Sequence, residues 1–321
     1  MSSVVPVRRA TVVGAGTIGL AWTTLFLAHG LHVTVNTRRA DAEQAVREGV
    51  ELFAATLPEG PADPEQLLRW LTIEPDVAKA VAEADVVQEN VREELAYKQE
   101  LFALIERSAP AHTLLLSSSS SLGADDIGAT LGDPSTLLVG HPFNPAHLVP
   151  LVEVIPGART APETVARAED FYRSLGKTPV VLRAPVTGTV ANRLQSALLR
   201  EAVHLVLEEI VTVDELDAAV TGSLGLRWAT VGPFEAFHLG GGPGGLRRML
   251  AAVGPKIAKE WEHLGKPQLD DAAVELLVRQ AEKAFGTDSY PRRAAERDAR
   301  QIAVLGALRD LAARHREEGA P

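Results

Sequence analysis

Along the first half of the chain, apolar positions gather in short, near-continuous runs, and the stretches between them carry a 3.6-residue rhythm. Residues 10–13 (ATVV) form a β-branched run that stops at Gly14, and residues 17–29 read as a helix ending at Gly30. Residues 31–36 (LHVTVN) form a second strand and residues 40–57 a second helix, with PEGPADPEQ as a loop. Residues 84–88 form a third strand, after which REELAYKQELFALIERS is strongly periodic. Residues 114–117, 137–139 and 151–155 are further strands. Strands alternating with helices predict a parallel sheet covered on both faces. From about residue 185 the pattern turns helical, led by TVANRLQSALLREAVHLVLEE and continuing through Gly-rich joints. The tail ARHREEGAP is charged and is expected to fray.

With 321 residues, the chain exceeds the ~250–300 at which a single core stops growing, so two domains are expected. The boundary falls at residues 183–185, giving an α/β domain over 1–184 and an all-α domain over 185–321. A net charge of −10 argues against a nucleic-acid partner, which would call for a basic stripe. The absence of cysteine rules out disulfides, thiolate metal sites and cysteine nucleophiles, and no metal is expected. No apolar run reaches the ~18 residues needed to span a bilayer, and the N-terminal residues lack the apolar segment of a signal peptide. A cytoplasmic protein with no membrane partner is the expectation.

The stretch VVGAGTIGLAW sets Gly14-x-Gly16-x-x-Gly19 between a predicted strand and a predicted helix, the context in which this spacing has a physical meaning. Gly14 permits a tight turn, Gly16 lets the backbone approach a pyrophosphate, and Gly19 lets the helix pack close to the strand. Thr17 and Ile18 open the helix, whose free N–H groups and dipole favour an anion. The fold expected is therefore a Rossmann-type, doubly wound, mostly parallel sheet followed by a helical domain. In NAD-binding folds an acid about 20 positions further on accepts hydrogen bonds from the ribose 2′-hydroxyl. Here that place is held by Thr37, flanked by Asn36, Arg38 and Arg39, and no carboxylate occurs before Asp41. A hydroxyl and a guanidinium fork suit a 2′-phosphate, which gives NADP(H) as the preferred cofactor. If instead both arginines are merely solvated loop residues, NAD serves as well.

His141 follows the strand at 137–139, at the carboxyl end where open α/β sheets bind ligands. Glu153 lies inside the apolar run LVEVI, where a carboxylate is costly unless paired. The economical partner is His141; the carboxylate would orient the imidazole and favour its protonated form. Hydride transfer from an alcohol needs one such general base, and the reverse reaction needs the same group as acid. His147, in NPAH, is read as an exposed loop histidine beyond the site. The serine run after residue 116 is either a flexible polar loop or a source of a substrate-bonding hydroxyl. Asn192, at the start of the long helix, either presents an amide to substrate or nicotinamide or is an ordinary polar residue of a first turn.

Taken together, the glycine loop, SSSSSL, HPFNP, LVEVI and ANRL, in that order, resemble the 3-hydroxyacyl-CoA dehydrogenase superfamily over nearly the whole chain, to about Gly286. The resemblance implies a catalytic dyad of His141 and Glu153, a substrate contact from Ser120, a role for Asn192 and cofactor contacts from Glu93 and Lys98. It also implies that Ser118 replaces the family's asparagine. The stretch GSLGLRWATVGPFEAFHLGGGPGG is similar to the branch containing lambda-crystallin, L-gulonate 3-dehydrogenase and carnitine dehydrogenase, whose substrates are small free 3-hydroxy compounds. In that setting Arg227 can grip a carboxylate and Trp228 can face a quaternary ammonium; packing at a domain interface is the alternative for both. An acyl-CoA thioester substrate, or a non-catalytic crystallin-like role, are the competing functions. The apolar face of the long helix predicts a homodimer through the second domain.

Overall fold

The computed structural model describes residues 7–184, 186–286 and 290–317. Residues up to Val190 form one compact unit and residues from Ala191 a second. Pro185, in the expected boundary, and residues 318–321, in the expected frayed tail, lie outside the described residues.

In the first unit the chain runs β1 (Arg9–Val13), α1 (Thr17–Ala28), β2 (His32–Asn36), α2 (Ala42–Ala54), α3 (Pro64–Leu68), β3 (Leu71–Ile73), α4 (Val77–Val81) and β4 (Val86–Glu89). It continues through α5 (Leu95–Ser108), β5 (Leu114–Ser117), α6 (Ala124–Ile127), β6 (Leu137–Pro142), β7 (Leu151–Pro156), α7 (Pro162–Ser174) and β8 (Thr178–Val181). The strands form one sheet in the order β3-β2-β1-β4-β5-β6-β7-β8, parallel throughout except where β7 runs antiparallel to β6.

Apolar residues alternate between two cores because successive strand residues face opposite sides. Val12, Val33, Val35, Leu114, Leu116 and Leu138 pack with Trp22, Phe26 and Tyr172 on one face. Val13, Val87, Leu115, Leu137 and Val139 pack with Phe102, Ile105 and Ile127 on the other. α1 has no acidic residue in its first turn, and eight of its residues are buried. Trp22 stacks on Phe26 (5.4 Å between centroids) and meets Tyr172 (5.7 Å).

The structure adds two edge strands that the apolar pattern did not reveal. β3 has three residues, too few to show a period, and β8 contains Pro179, which an edge strand tolerates because one of its sides needs no ladder donor. β6 runs on through Pro142, so His141 lies within the strand and not just after it. The antiparallel pairing of β7 with β6 agrees with the expected mostly parallel sheet and places its one exception.

The second unit contains α8 (Val190–Leu207), α9 (Val213–Val220), α10 (Leu226–Thr230), α11 (Pro233–Gly240), α12 (Gly245–Trp261), α13 (Asp271–Phe285) and α14 (Tyr290–Glu317). Thr212 and Glu215 form a capping box that starts α9, and the Val213 amide bonds Gln280 of α13 (3.0 Å). Large apolar side chains remain exposed, among them Leu194, Leu199, Phe234 and Trp261.

Lys177, just before β8, is buried under the β6–β7 connection. Its ammonium donates to the carbonyl oxygens of Ala146 and Val149 and lies 5.6 Å from the centroid of the Trp22 ring. Burial pushes the Lys177 ammonium down to about 7 from its ordinary 10.5, against the pull of Glu59. Between those values the unfolded chain binds the extra proton, so unfolding free energy rises with pH across the window. Lys177→Met is expected to remove that rise. Urea midpoints compared at about pH 7 and about pH 9.5 test it, and equal slopes in the two proteins would contradict the assignment.

Candidate active site

The strand order reverses beside β1, so the loops after β1 and β4 flank a crevice at the carboxyl edge of the sheet. Gly14 has φ +101°, and a Cβ there would stand 2.8 Å from the Asn90 carbonyl oxygen. At Gly16 nothing lies within 4 Å of where a Cβ would be, so the backbone is open to an incoming group. At Gly19 a Cβ would stand 1.9 Å from the Gly14 carbonyl oxygen, so only glycine lets α1 close on the turn. Gly16 caps α1 from an extended conformation, and Thr17 and Ile18 present the first helical amides.

Next to this loop lies a cavity of about 330 Å³, lined by Gly14, by Asn36 to Arg39 after β2, and by Val91, Arg92 and Tyr97 around the start of α5. Asn36 holds the far side with a bond from Nδ2 to the Glu74 carbonyl (2.8 Å). Thr37 is buried, and its Oγ1 accepts weakly from the Arg39 amide (3.4 Å). The two neighbouring arginines differ. Arg39 is forked onto Asp41 (2.8 and 2.7 Å), whereas Arg38 donates to the Tyr97 hydroxyl (3.0 Å). The bared glycine backbone, the free helix end and this cavity together fit a nicotinamide dinucleotide.

A buried carboxylate organises the crevice. Glu89, the last residue of β4, is fully buried and takes two bonds from the Lys98 ammonium (2.7 and 2.8 Å). It also accepts from the Ser117 hydroxyl (2.6 Å) and the Val91 amide (2.5 Å). Lys98, for which the resemblance implied a cofactor contact, is buried here and reaches Glu93 at 3.3 Å. Glu93 in turn gathers the serine run, accepting from the Ser119 hydroxyl (2.6 Å) and the Ser120 and Ser121 amides (2.7 and 3.0 Å). Burial works to raise the Glu93 carboxyl, but Ser119, Ser121, Lys98 and Ser120 outweigh it and hold the group down at about 2. The serine stretch is thus pinned, with the Ser120 side chain exposed at its tip.

Ser118 joins a second network: it donates to Asn90 Oδ1 (2.8 Å) and accepts from Gln88 Nε2 (2.9 Å) and Trp22 Nε1 (3.3 Å). Tyr172 donates to Gln88 Oε1 (2.9 Å) from beneath the sheet. Its ring fits there because Gly140 has no side chain; a Cβ would stand 1.9 Å from the phenol oxygen. Burial drives the Tyr172 phenol far above its ordinary range, so it acts only as a donor in its neutral form.

His141 and Glu153 are direct cross-strand partners in the antiparallel ladder of β6 and β7. Facing residues in such a ladder carry their side chains on the same side, and His141 Nδ1 lies 3.0 Å from Glu153 Oε2. Both are buried, and Phe143 meets the imidazole edge-on (6.1 Å). His147 corrects the expectation of an exposed loop histidine. It is fully buried, with its ring against Phe53 (4.5 Å) and its Nε2 2.9 Å from Thr56 Oγ1, because the loop folds back over the end of α2. In the second unit, Asn192 is half-buried in the first turn of α8, and Arg227 and Trp228 are exposed on α10.

Sequence reasoning passed over Glu89, Gln88, Tyr172, Arg92 and Tyr97. The first two did carry a signal, since QE closing an otherwise apolar strand raises the same burial cost as Glu153. The others are brought in by tertiary packing alone.

Residues 9–185 match the family description "3-hydroxyacyl-CoA dehydrogenase, NAD binding domain", and residues 188–275 match "3-hydroxyacyl-CoA dehydrogenase, C-terminal domain". An L-carnitine dehydrogenase of Streptomyces coelicolor is 41% identical over 308 residues, 96% of each chain. A 3-hydroxyacyl-CoA dehydrogenase of Gibberella moniliformis is 38% identical over 311 residues, 95% of this chain and 96% of its own. Among solved structures, 5-formyl-3-hydroxy-2-methylpyridine 4-carboxylic acid 5-dehydrogenase, described as an NAD+-dependent dismutase, superposes with a TM-score of 0.74. It is 27% identical and covers 95% of this chain and 99% of its own.

The glycines make a paired prediction. Gly16→Ala is expected to leave folding stability within about 0.5 kcal/mol while weakening dinucleotide binding by about tenfold or more. Gly19→Ala is expected to cost about 1–3 kcal/mol of stability through overlap with the Gly14 carbonyl. Thermal scans alongside cofactor titration separate the two, and a large loss of thermal midpoint in Gly16→Ala would contradict the open approach.

Proposed function

The chain belongs to the 3-hydroxyacyl-CoA dehydrogenase family, and we propose that it is an NADP(H)-linked dehydrogenase of a small free 3-hydroxy acid, or equally the reductase of the matching 3-keto acid. Membership makes it a nicotinamide-dinucleotide-dependent oxidoreductase acting on CH–OH donors. The observation that carries the chemistry is the buried His141–Glu153 pair, 3.0 Å apart, on neighbouring strands of the sheet.

Bound nicotinamide supplies the hydride acceptor, or the donor in the reverse direction. The chain's own residues manage the proton. Glu153 accepts from Nδ1–H of His141 and so leaves Nε2 as the basic nitrogen. His141 takes the hydroxyl proton as the alcohol is oxidised and returns it to the carbonyl oxygen in reduction. The Glu153 carboxylate offsets the positive charge that then develops on the ring. Ser120 and Asn192 are each proposed as a substrate contact. Gly14, Gly16, Gly19 and the α1 amides of Thr17 and Ile18 are proposed to hold the pyrophosphate, with Glu93 and Lys98 shaping the loop beside the nicotinamide.

Two features support NADP(H). Thr37 stands where an NAD-selecting acid would be, and Asp41, the next carboxylate in sequence, is committed to Arg39. Arg38 lines the adjoining cavity. For the substrate, the Streptomyces coelicolor relative named L-carnitine dehydrogenase favours a free 3-hydroxy acid bearing a quaternary ammonium. Arg227 suits its carboxylate, and the indole of Trp228 suits its cation. A CoA thioester is the second reading, favoured by the Gibberella moniliformis relative. The exposed Leu194, Leu198 and Leu199 on α8 support a homodimer formed through the second unit, and the proposed compartment is the cytoplasm.

A spectrophotometric panel tests the reading. NADP(H) with carnitine or short 3-hydroxy and 3-keto acids is expected to turn over faster than NAD(H) or than CoA esters. Preference for thioesters would select the second reading, and equal use of both cofactors would remove the NADP assignment. His141→Ala is expected to lower kcat about 10²–10⁴-fold with cofactor affinity unchanged. Light scattering at micromolar concentration is expected to give a dimer mass, and a monomer would refute the proposed interface.

A further inference from the structure

Arg38 and Arg39 are neighbours in sequence, yet they are not equivalent in space. Asp41 grips Arg39 through both Nε and Nη2. Arg38 turns the other way, onto Tyr97 of α5. A third guanidinium, from Arg92 in the connection between β4 and α5, converges on the same ring. The Arg92 Cζ lies 4.8 Å from the Tyr97 centroid and the Arg38 Cζ 5.5 Å from it. Both arginines and Tyr97 line the cavity that starts at Gly14 and passes Thr37. Arg92 pairs with Glu94 through Nε (2.6 Å); this pair and the Arg39–Asp41 pair are both more than half exposed, so what sets Arg92 apart is its place on the Tyr97 ring. Gathering two guanidinium groups on one ring brings like charges together, an arrangement that gains its value when a multiply charged anion sits between them.

We propose that Arg92 is the second cation of a 2′-phosphate site, acting with Arg38 across the Tyr97 ring, and that Arg39 takes no direct part. This rests on the NADP(H) reading and assigns its selectivity to two loops that follow different strands. The phosphate is held from the β2 end by Arg38 and from the β4 end by Arg92. Tyr97 is a positioning residue, whose ring supports both guanidinium planes and whose hydroxyl fixes Arg38. Thr37 supplies a small wall where an acid would repel the phosphate.

The test is a calorimetric titration of the full chain with adenosine 2′,5′-bisphosphate, adenosine 3′,5′-bisphosphate and 5′-AMP. The unmodified protein is expected to bind the 2′,5′-bisphosphate about tenfold or more tightly than the other two. Arg92→Gln and Arg38→Gln are each expected to lose about tenfold for the 2′,5′-bisphosphate while 5′-AMP changes less than about twofold. The double variant Arg39→Gln/Asp41→Asn is expected to keep the preference. Tyr97→Leu is expected to lose it, and Tyr97→Phe to restore most of it. If the unmodified protein shows no 2′-preference, the NADP(H) reading falls and this proposal with it. Equal binding of the 3′,5′-bisphosphate would point to the CoA end and overturn it as well. If the preference exists and survives Arg92→Gln, the cofactor reading stands and Arg92 is excluded. Equal loss of all three ligands in Arg92→Gln would make its role merely structural.

Discussion

The crevice depends on one buried ion pair. Glu89 ends β4 at the point where the sheet reverses its order, and its carboxylate is saturated by Lys98 from α5, the Ser117 hydroxyl from β5 and the Val91 amide. Removing one partner of such a pair leaves an uncompensated buried charge, at a cost of about 3–5 kcal/mol. The pair also fixes geometry. Through Lys98 it reaches Glu93, through Glu93 it holds the serine turn, and through Val91 it sets the chain direction into Arg92. The floor of the dinucleotide crevice and the loop leading to the substrate side are thereby one connected polar structure.

Around that floor, polar groups sit where an apolar core would otherwise continue, and each has its partners. Gln88 spans Ser118 and Tyr172, and Gly140 is the space that lets Tyr172 come close. Gly140 immediately precedes His141, so the packing that satisfies Gln88 also backs the strand carrying the imidazole. Lys177 does similar work for the far end of the β6–β7 connection by holding the Ala146 and Val149 carbonyls. Well-satisfied polar networks rigidify a site, whereas half-satisfied ones destabilise it.

Much of this was legible in the sequence, for physical reasons. The glycine spacing between strand and helix encodes a backbone shape, and Gly14 and Gly19 show the clashes that make the glycines necessary. The Glu inside LVEVI announced a partner because a lone buried carboxylate is too costly. Two kinds of feature stayed hidden. Short edge strands such as β3 and β8 have no period to read. Contacts between distant segments, such as Arg38 on Tyr97 or His147 on Phe53, follow from packing and not from any local pattern. The reversal of β7 belongs with these, because an apolar run does not carry its own direction.

That reversal has a consequence for the working of the enzyme. Because β6 and β7 are adjacent in one antiparallel ladder, His141 and Glu153 are only 12 residues apart and are held by a single set of backbone bonds. The pair lies wholly within the first unit. The spacing of carboxylate and imidazole is set by the register of that ladder. Under the proposed mechanism, proton handling therefore rests on one backbone ladder inside a single unit.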